Sequence, residues 1–568
     1  MTMRPVLAVC AVLALGSALL AGCAAAPGSS VLNTFVPSAA DDESGAFVTY
    51  LSARFAASDH DLKNAARYYS ETLRRDPANV SLLELSFFYA ATSGDFAAAS
   101  SLADRLVATR PDDRSARLAL AVIAFKKQDY DSARRHMAQL AKGPFTTLTL
   151  SLFDAWAATA LKDQAAVQKN MQTLAEEKGV ENIAAFHTAL LAEYAGNVAA
   201  AEISYKAALK AGATPRVLEA YGRMLERAGR GADAAALYRQ HENQGGFLPV
   251  VVPGLQRIAA GTNADALVTS PADGAAEALF GLAASLNDSG SADVSVLYLR
   301  MARHLRPNFA LANILLGDRF DQLRKFEDAI EAYRSVEPSS PYRRMAVMAM
   351  ALDYTRLERH NAAVTELRRL TMANPKDVEA WISTGDAYRA MDKEAEALQS
   401  FDRAIEALGK PGARDWRVFY ARANVKEKLK DWKAAEADTQ IALKLAPNEP
   451  QLLNYLGYSW VERGERIPEA LGMLERASKM RPYDGYIMDS VGWAYFKLGR
   501  YEDAVRVLNQ AVLLVPGDPT INEHLGDALW KAGKPISARF QWNHALTFGE
   551  DTQAKAVIEQ KLKTGLPG

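Results

Sequence analysis

The strongest regularity in the chain is a ladder of small and apolar positions with a step near 34 residues. Alanines in similar surroundings fall at Ala329, Ala363, Ala397, Ala435, Ala470, Ala504 and Ala538, with steps of 34, 34, 38, 35, 34 and 34. Gly317, Ala351, Gly385, Ala423, Gly457, Gly492 and Gly526 repeat at the same spacing, and so do Pro307, Pro341, Pro375, Pro447, Pro482 and Pro516. Three position classes on one period predict a stack of helical hairpins, each of which buries its apolar face only against its neighbours. The fold class expected is therefore all-α, a superhelical solenoid of about a dozen hairpins. Small residues on the first helix let the two helices approach closely. Glycine in the turns at Gly94 and Gly499 closes the first helix, and Asp95, Asp129 and Asp431 are placed to cap the second.

The residues within each step sharpen this reading. One unit carries Trp381, Gly385, Tyr388, Ala397, Phe401 and Ala404; another carries Leu456, Gly457, Leu474, Ala477 and Pro482; a third carries Val491, Gly492, Tyr495, Ala504, Leu508, Ala511 and Pro516. These series resemble the tetratricopeptide repeat (TPR). The first half repeats more weakly, with Ala65, Tyr69 and Pro77, then Gly94, Ala99 and Pro111, then Asp129, Tyr130 and Ala133; residues 145–180 are helical in pattern but degenerate. Units near Gly196–Ala208 and Gly222–Tyr238 can still be read.

Punctuation divides the array. Residues 244–275 hold Gly245, Gly246, Pro249, Pro253, Gly261 and Pro271, and read as an irregular connector with a short helix near Leu255–Ala259. The segments expected are thus 46–243 and 276–551, followed by a capping helix and tail over 552–568. Gly409–Asp415 accounts for the long step and should protrude as a loop.

The start of the chain has a different pattern. Val6–Leu20 is an apolar run behind Arg4, too short to span a bilayer comfortably and suited to a signal-peptide core. It ends in Leu20-Ala21-Gly22-Cys23, which resembles the lipobox of bacterial lipoproteins. That resemblance implies removal of residues 1–22, acylation of Cys23 and a palmitate-type anchor. Ala24 after the cysteine, by analogy with proteobacterial sorting, implies the outer membrane, with the body facing the periplasm. Residues 23–45 are small and polar and are expected to form a lipidated, flexible tether.

Composition removes several alternatives. Lys plus Arg (66) almost cancels Asp plus Glu (67), so no electrostatic footprint for nucleic acid is present. The two cysteines are Cys10 and Cys23, which leaves the body without a thiolate site or disulfide framework. The eight histidines form no His-Glu-x-x-His pattern; His524 and Asp527 make a helical i, i+3 pair of a kind common in helical chains. No phosphate loop or nucleophile elbow is found. The expectation is a non-catalytic protein that needs no cofactor and no metal.

What remains is surface. First-helix side chains line the inner face of such solenoids, and Asn454, Tyr458, Asp489, Trp493, Phe496 and Trp530 are the candidate partner-binding residues there. Tyr and Trp offer large rigid contact area with a polar handle. The runs Leu453–Trp460, Asp489–Tyr495 and Asn522–Asp527, with the lipobox, resemble a group of proteobacterial tetratricopeptide lipoproteins. They are similar to an outer-membrane adaptor of a periplasmic carboxyl-terminal processing protease. The resemblance implies a scaffold or adaptor that recruits a protein partner such as that protease or a cell-wall enzyme. The alternative is a component of envelope polysaccharide or outer-membrane protein export and assembly.

Overall fold

The structure is a computed structural model and describes residues 42–140, 144–212, 214–242, 249–286, 291–549 and 552–566. The apolar leader and Cys23 lie outside the described residues. Among those described there are thirty α-helices and no strand, so the chain is the all-α helical-hairpin solenoid its periodicity predicts.

The ladders have a direct packing meaning. Ala329, Ala363, Ala397, Ala435, Ala470, Ala504 and Ala538 are all 0% exposed, because only a methyl group fits where the second helix crosses the first. The glycines admit the large residue one turn beyond the ladder alanine on the second helix, and Gly457 lies close to the Ala470 carbonyl as well. A β-carbon on Gly385 would sit 2.7 Å from the Phe401 ring, and one on Gly526 would sit 2.4 Å from Trp542. An aromatic, or leucine at Leu474 and Leu508, thus fills the space above glycine within its own hairpin.

The turns repeat as strictly as the helices. Gly94 closes Val80–Ser93 in the left-handed conformation with φ of 95°, and Gly499 has φ of 73°. Asp95, Asp129 and Asp431 accept hydrogen bonds from the backbone N–H of Ala98, Ser132 and Ala434, capping their second helices. His60, Gln128, Lys162, Arg324, Glu358, Asp392 and Lys430 take the same left-handed turn without being glycine. Those at 60, 128 and 162 keep the period through the first half, where the sequence pattern is faint.

Contacts divide the chain into two compact units, Met1–Glu358 and Arg359–Gly568. The hairpins between Pro271 and Arg356 therefore pack with the first unit. Residues 244–275 contribute the helix Val251–Ala260, in which Gly254 lies against the Tyr238 ring, and the start of the helix Pro271–Ser285. The inserted Gly409–Asp415 segment is mostly exposed and is braced by a 2.7 Å hydrogen bond from Gly412 N–H to Asp415.

In the first unit the row of first helices is covered. The hairpin made by Pro271–Ser285 and Ala292–Leu305 packs across Val80–Ser93, Arg114–Lys126, Pro144–Ala160 and Glu181–Tyr194. Gly274 admits the Trp156 ring so closely that a β-carbon would be 2.2 Å from it. Arg300 donates to the Thr92 carbonyl at 3.0 Å, Lys126 donates to the Leu305 carbonyl at 3.2 Å, and His304 stacks on Phe96 at 4.2 Å. Glu277, fully buried, binds Arg216 and accepts from Arg306 at 3.3 Å. Ten consecutive residues of Arg114–Lys126, Ala116 to Phe125, are buried in consequence; a helix buried on every face has no face left for solvent.

In the second unit each helix packs on its neighbours in sequence. First helices also meet across hairpins, Pro450–Arg463 with Gly485–Lys497 and the latter with Pro519–Lys531. No hairpin from elsewhere in that unit crosses this row.

Candidate groove of the second unit

The first helices of the second unit place their inner-row residues by register against the left-handed turns. Asn454 and Tyr458 precede Gly464, Asp489 and Trp493 precede Gly499, and Glu523 and Asp527 precede Gly533. Because these helices touch one another, their inner rows form one surface.

Trp493 is its structural centre. Its indole stacks on Phe496 at 4.6 Å and on His524 at 3.9 Å, both rings nearly parallel to it. Its N–H donates to Glu462, and the Lys497 ammonium lies 4.9 Å from the ring centre. Only 8% of Trp493 is exposed, so its area is spent on packing between repeats. His524 pairs with Asp489, both carboxylate oxygens lying 3.0 Å from its Nδ1, and not with Asp527. Burial alone would lower the His524 imidazole; the adjacent Asp489 carboxylate overrides that and raises it above the ordinary 6.5.

Asn454 and Tyr458 are the half-buried members of the set. The Asn454 Oδ1 is buried without a hydrogen-bond partner. Burial, together with the negative charges of Glu462, Asp489 and Glu523, pushes the Tyr458 phenol upward. Those carboxylates pair with Trp493, His524 and Lys561, whereas the Asn454 Oδ1 is a buried acceptor whose cost an N–H donor from a bound chain would relieve.

Trp530 is engaged elsewhere. It packs on Trp542 at 5.5 Å and under Arg539, and a β-carbon on Gly565 would be 1.9 Å from it. The helix Thr552–Thr564 delivers Lys561 to Asp527 at 2.7 Å and to Glu523 at 2.6 Å, closing that end of the row. Burial raises the Asp527 carboxyl, with Lys561 working against the shift.

Of the six residues the sequence nominates, Asn454, Tyr458, Asp489 and Trp493 share the inner register of two touching helices, Phe496 stacks on Trp493, and Trp530 packs on Trp542 and the tail. Glu462, Glu523, His524 and Lys561 join them without having been nominated. Glu523 shares the inner register of its helix and was available from the turn positions; Lys561 was not, because its place depends on how the last helix docks. No group of three or more potential metal ligands occurs among the described residues.

Family comparisons agree with this architecture. A tetratricopeptide repeat model matches residues 89–145, 186–247 and 348–411, and a TPR repeat model matches 492–533. These stretches of the chain therefore carry tetratricopeptide repeats, and neither matching model describes an enzyme family. Among known proteins, the TPR repeat-containing protein PA4667 of Pseudomonas aeruginosa is 34% identical over 140 residues, which are 24% of this chain and 24% of that relative. The chain thus spans about a quarter of the length of that relative. Solved structures similar to it include a chain of the APC/C hetero-tetramer Cut9-Hcn1, at 15% identity over 92% of this chain and 96% of that one, with a TM-score of 0.37. A tetratricopeptide repeat protein from Parabacteroides merdae is similar at 14% identity over 44% of this chain and 96% of its own, with a TM-score of 0.36.

Proposed function

We propose that this protein is a non-catalytic scaffold whose second unit binds a partner polypeptide along the inner row of Pro450–Arg463 and Gly485–Lys497. The observation that carries the reading is the unpartnered buried Oδ1 of Asn454 beside the half-buried Tyr458, in a row that no hairpin of that unit covers. Acyl chains on Cys23 tether the body to the outer membrane, on its periplasmic side, and raise the local concentration of whatever is bound. The partner is an envelope protein such as a periplasmic carboxyl-terminal processing protease; the adaptor resemblance supports a function of that kind.

The test is a photoreactive phenylalanine analogue placed at Tyr458 in intact cells, with Ile203 on the outer face of the helix Val198–Ala211 as the control position. A discrete adduct from 458 and none from 203 is expected. Equal labelling from both sites, or none from 458, sinks the groove as the binding surface. Mass spectrometry of the amino-terminal peptide tests the anchor separately.

A further inference from the structure

The helix Asp42–Ser58 is the first described element and covers the end of the stack. End repeats normally turn a polar face outward, since nothing further packs on them. This one does the opposite. Phe47 is 63% exposed, Val48 42%, Leu51 48% and Phe55 74%, and their spacing puts all four on one side of the helix. Ala53 and Ala56 on the other side are buried, and Tyr50 meets Tyr69 edge-on at 6.3 Å, so the helix already has its packing face. Arg54 is exposed beside the apolar stripe. Two large aromatics, two aliphatics and a flanking cation form the kind of face that settles into the boundary between headgroups and acyl chains.

We infer that Asp42–Ser58 lies on the lipid surface through Phe47, Val48, Leu51 and Phe55, and so fixes the orientation of the body on the membrane. The inference rests on the proposed anchor at Cys23. A lipid surface is the favoured occupant because of distance along the chain. Fewer than twenty residues separate Cys23 from Asp42, and a chain of n residues reaches at most about 3.5 Å × n, so an acylated Cys23 keeps this helix within roughly 65 Å of the headgroups at high effective concentration. The acyl chains supply the attachment; the stripe decides which side of the solenoid faces the bilayer. No helix among the described residues is long and apolar enough to cross a membrane, so the contact is one of lying on the surface.

The chain's cysteines are Cys10 and Cys23 alone, which makes site-directed spin labelling clean. Phe47→Cys, Leu51→Cys and Phe55→Cys, each nitroxide-labelled in the acylated chain, are reconstituted into vesicles of phosphatidylethanolamine and phosphatidylglycerol. Ile203→Cys, at a site 71% exposed on another helix of the same unit, is the reference. Collision with oxygen should rise severalfold over collision with a water-soluble nickel chelate at 47, 51 and 55, and not at 203. Labels at 47 and 55 that respond as 203 does overturn the inference, as does spin–spin coupling between labels at 55, which would mean that a second copy covers the stripe. Mass spectrometry separates the two failures. A bare Cys23 removes the anchor and this inference together; an acylated Cys23 with water-exposed labels removes only the inference.

Discussion

The two units use the same repeat and treat its inner row in opposite ways. In the first unit the part of that row lying on Arg114–Lys126, Pro144–Ala160 and Glu181–Tyr194 is apolar: Leu118 and Val122 precede the turn at Gln128, Leu152 and Trp156 precede Lys162, and Phe186 and Leu190 precede Gly196, whereas Glu219 and Arg223 before Gly229 are charged. In the second unit the matching positions are Asn454 and Tyr458, Asp489 and Trp493, Glu523 and Asp527. An apolar row must be covered, and the chain covers it with its own hairpin Pro271–Leu305. In the second unit Asp489, Trp493 and Asp527 are buried by their own neighbours, and Asn454, Tyr458 and Glu523 are the half-buried positions left to accept a visitor. The hairpin repeat builds the wall in both units, and a pair of residues per repeat decides whether the wall is closed from within.

That contrast can be broken most severely at Trp156. It is fully buried against Gly274, and Trp156→Ala should cost about 4 kcal/mol. In a calorimetric scan the loss should fall on the transition of the first unit and leave that of the second in place. Tyr458→Ala, at the matching position of the second unit, should lower stability by no more than about 1 kcal/mol while abolishing co-purification of the partner. If the two substitutions destabilise equally, the closed-versus-open distinction fails. Glu277→Ala comes next, at about 3 kcal/mol, because it strands the Arg216 and Arg306 guanidiniums that the buried carboxylate holds. Urea unfolding followed through a first-unit probe would measure it, and an effect under 1 kcal/mol would mean the ion cluster is not part of the closure.

Much of this was legible in the residues and some was not. The fold followed from Ala397, Phe401, Gly385 and their repeats, because packing two helices at close range tolerates few residue types. The covered row was also written in the sequence, in the unbroken stretch Leu118-Ala119-Leu120-Ala121-Val122-Ile123-Ala124-Phe125; a helix apolar all round signals cover on both sides. What covers it could not be read, since the docking of Pro271–Leu305 on helices some 150 residues earlier rests on shape and on Gly274. Within the candidate site, local register placed Tyr458 and Asp489, whereas Lys561 and the ring stack of Trp493 on His524 depend on neighbours across repeats. Trp530 shows the limit of register alone: it sits in line with the inner row and is spent on packing the tail.

A smaller effect comes from the ion pair inside the second unit's row. Asp489 raises the His524 imidazole above 6.5. The contribution of this pair to stability is therefore complete below the unfolded imidazole value and is lost as pH rises through the higher folded one. The second unit should lose stability as pH rises above the ordinary imidazole value of 6.5, and His524→Gln should flatten that slope at a cost of about 2 kcal/mol at pH 6. The first unit has His187 shut in by burial, which lowers it to about 3. It stays neutral through the same range and adds no such slope. Equal pH dependence of both transitions would contradict this assignment.

The finest probe is the turn. Gln128 in the first unit and Lys430 in the second hold φ of 61° and 64°, a conformation that glycine adopts without strain and an L side chain does not. Both side chains are exposed, so removing them takes little packing away. Gln128→Gly should raise the first unit's transition, and Lys430→Gly the second's, each by roughly 0.5–1 kcal/mol after the entropy glycine adds to the unfolded chain. Asp392→Gly should gain least, because aspartate tolerates this conformation better and its carboxylate pairs with Lys428 at 3.2 Å. The ordering sharpens the comparison independently of the groove. If the units unfold as separate bodies, each glycine moves one transition only; a shift of both transitions by Gln128→Gly would mean that the division at Glu358 is not a division in stability.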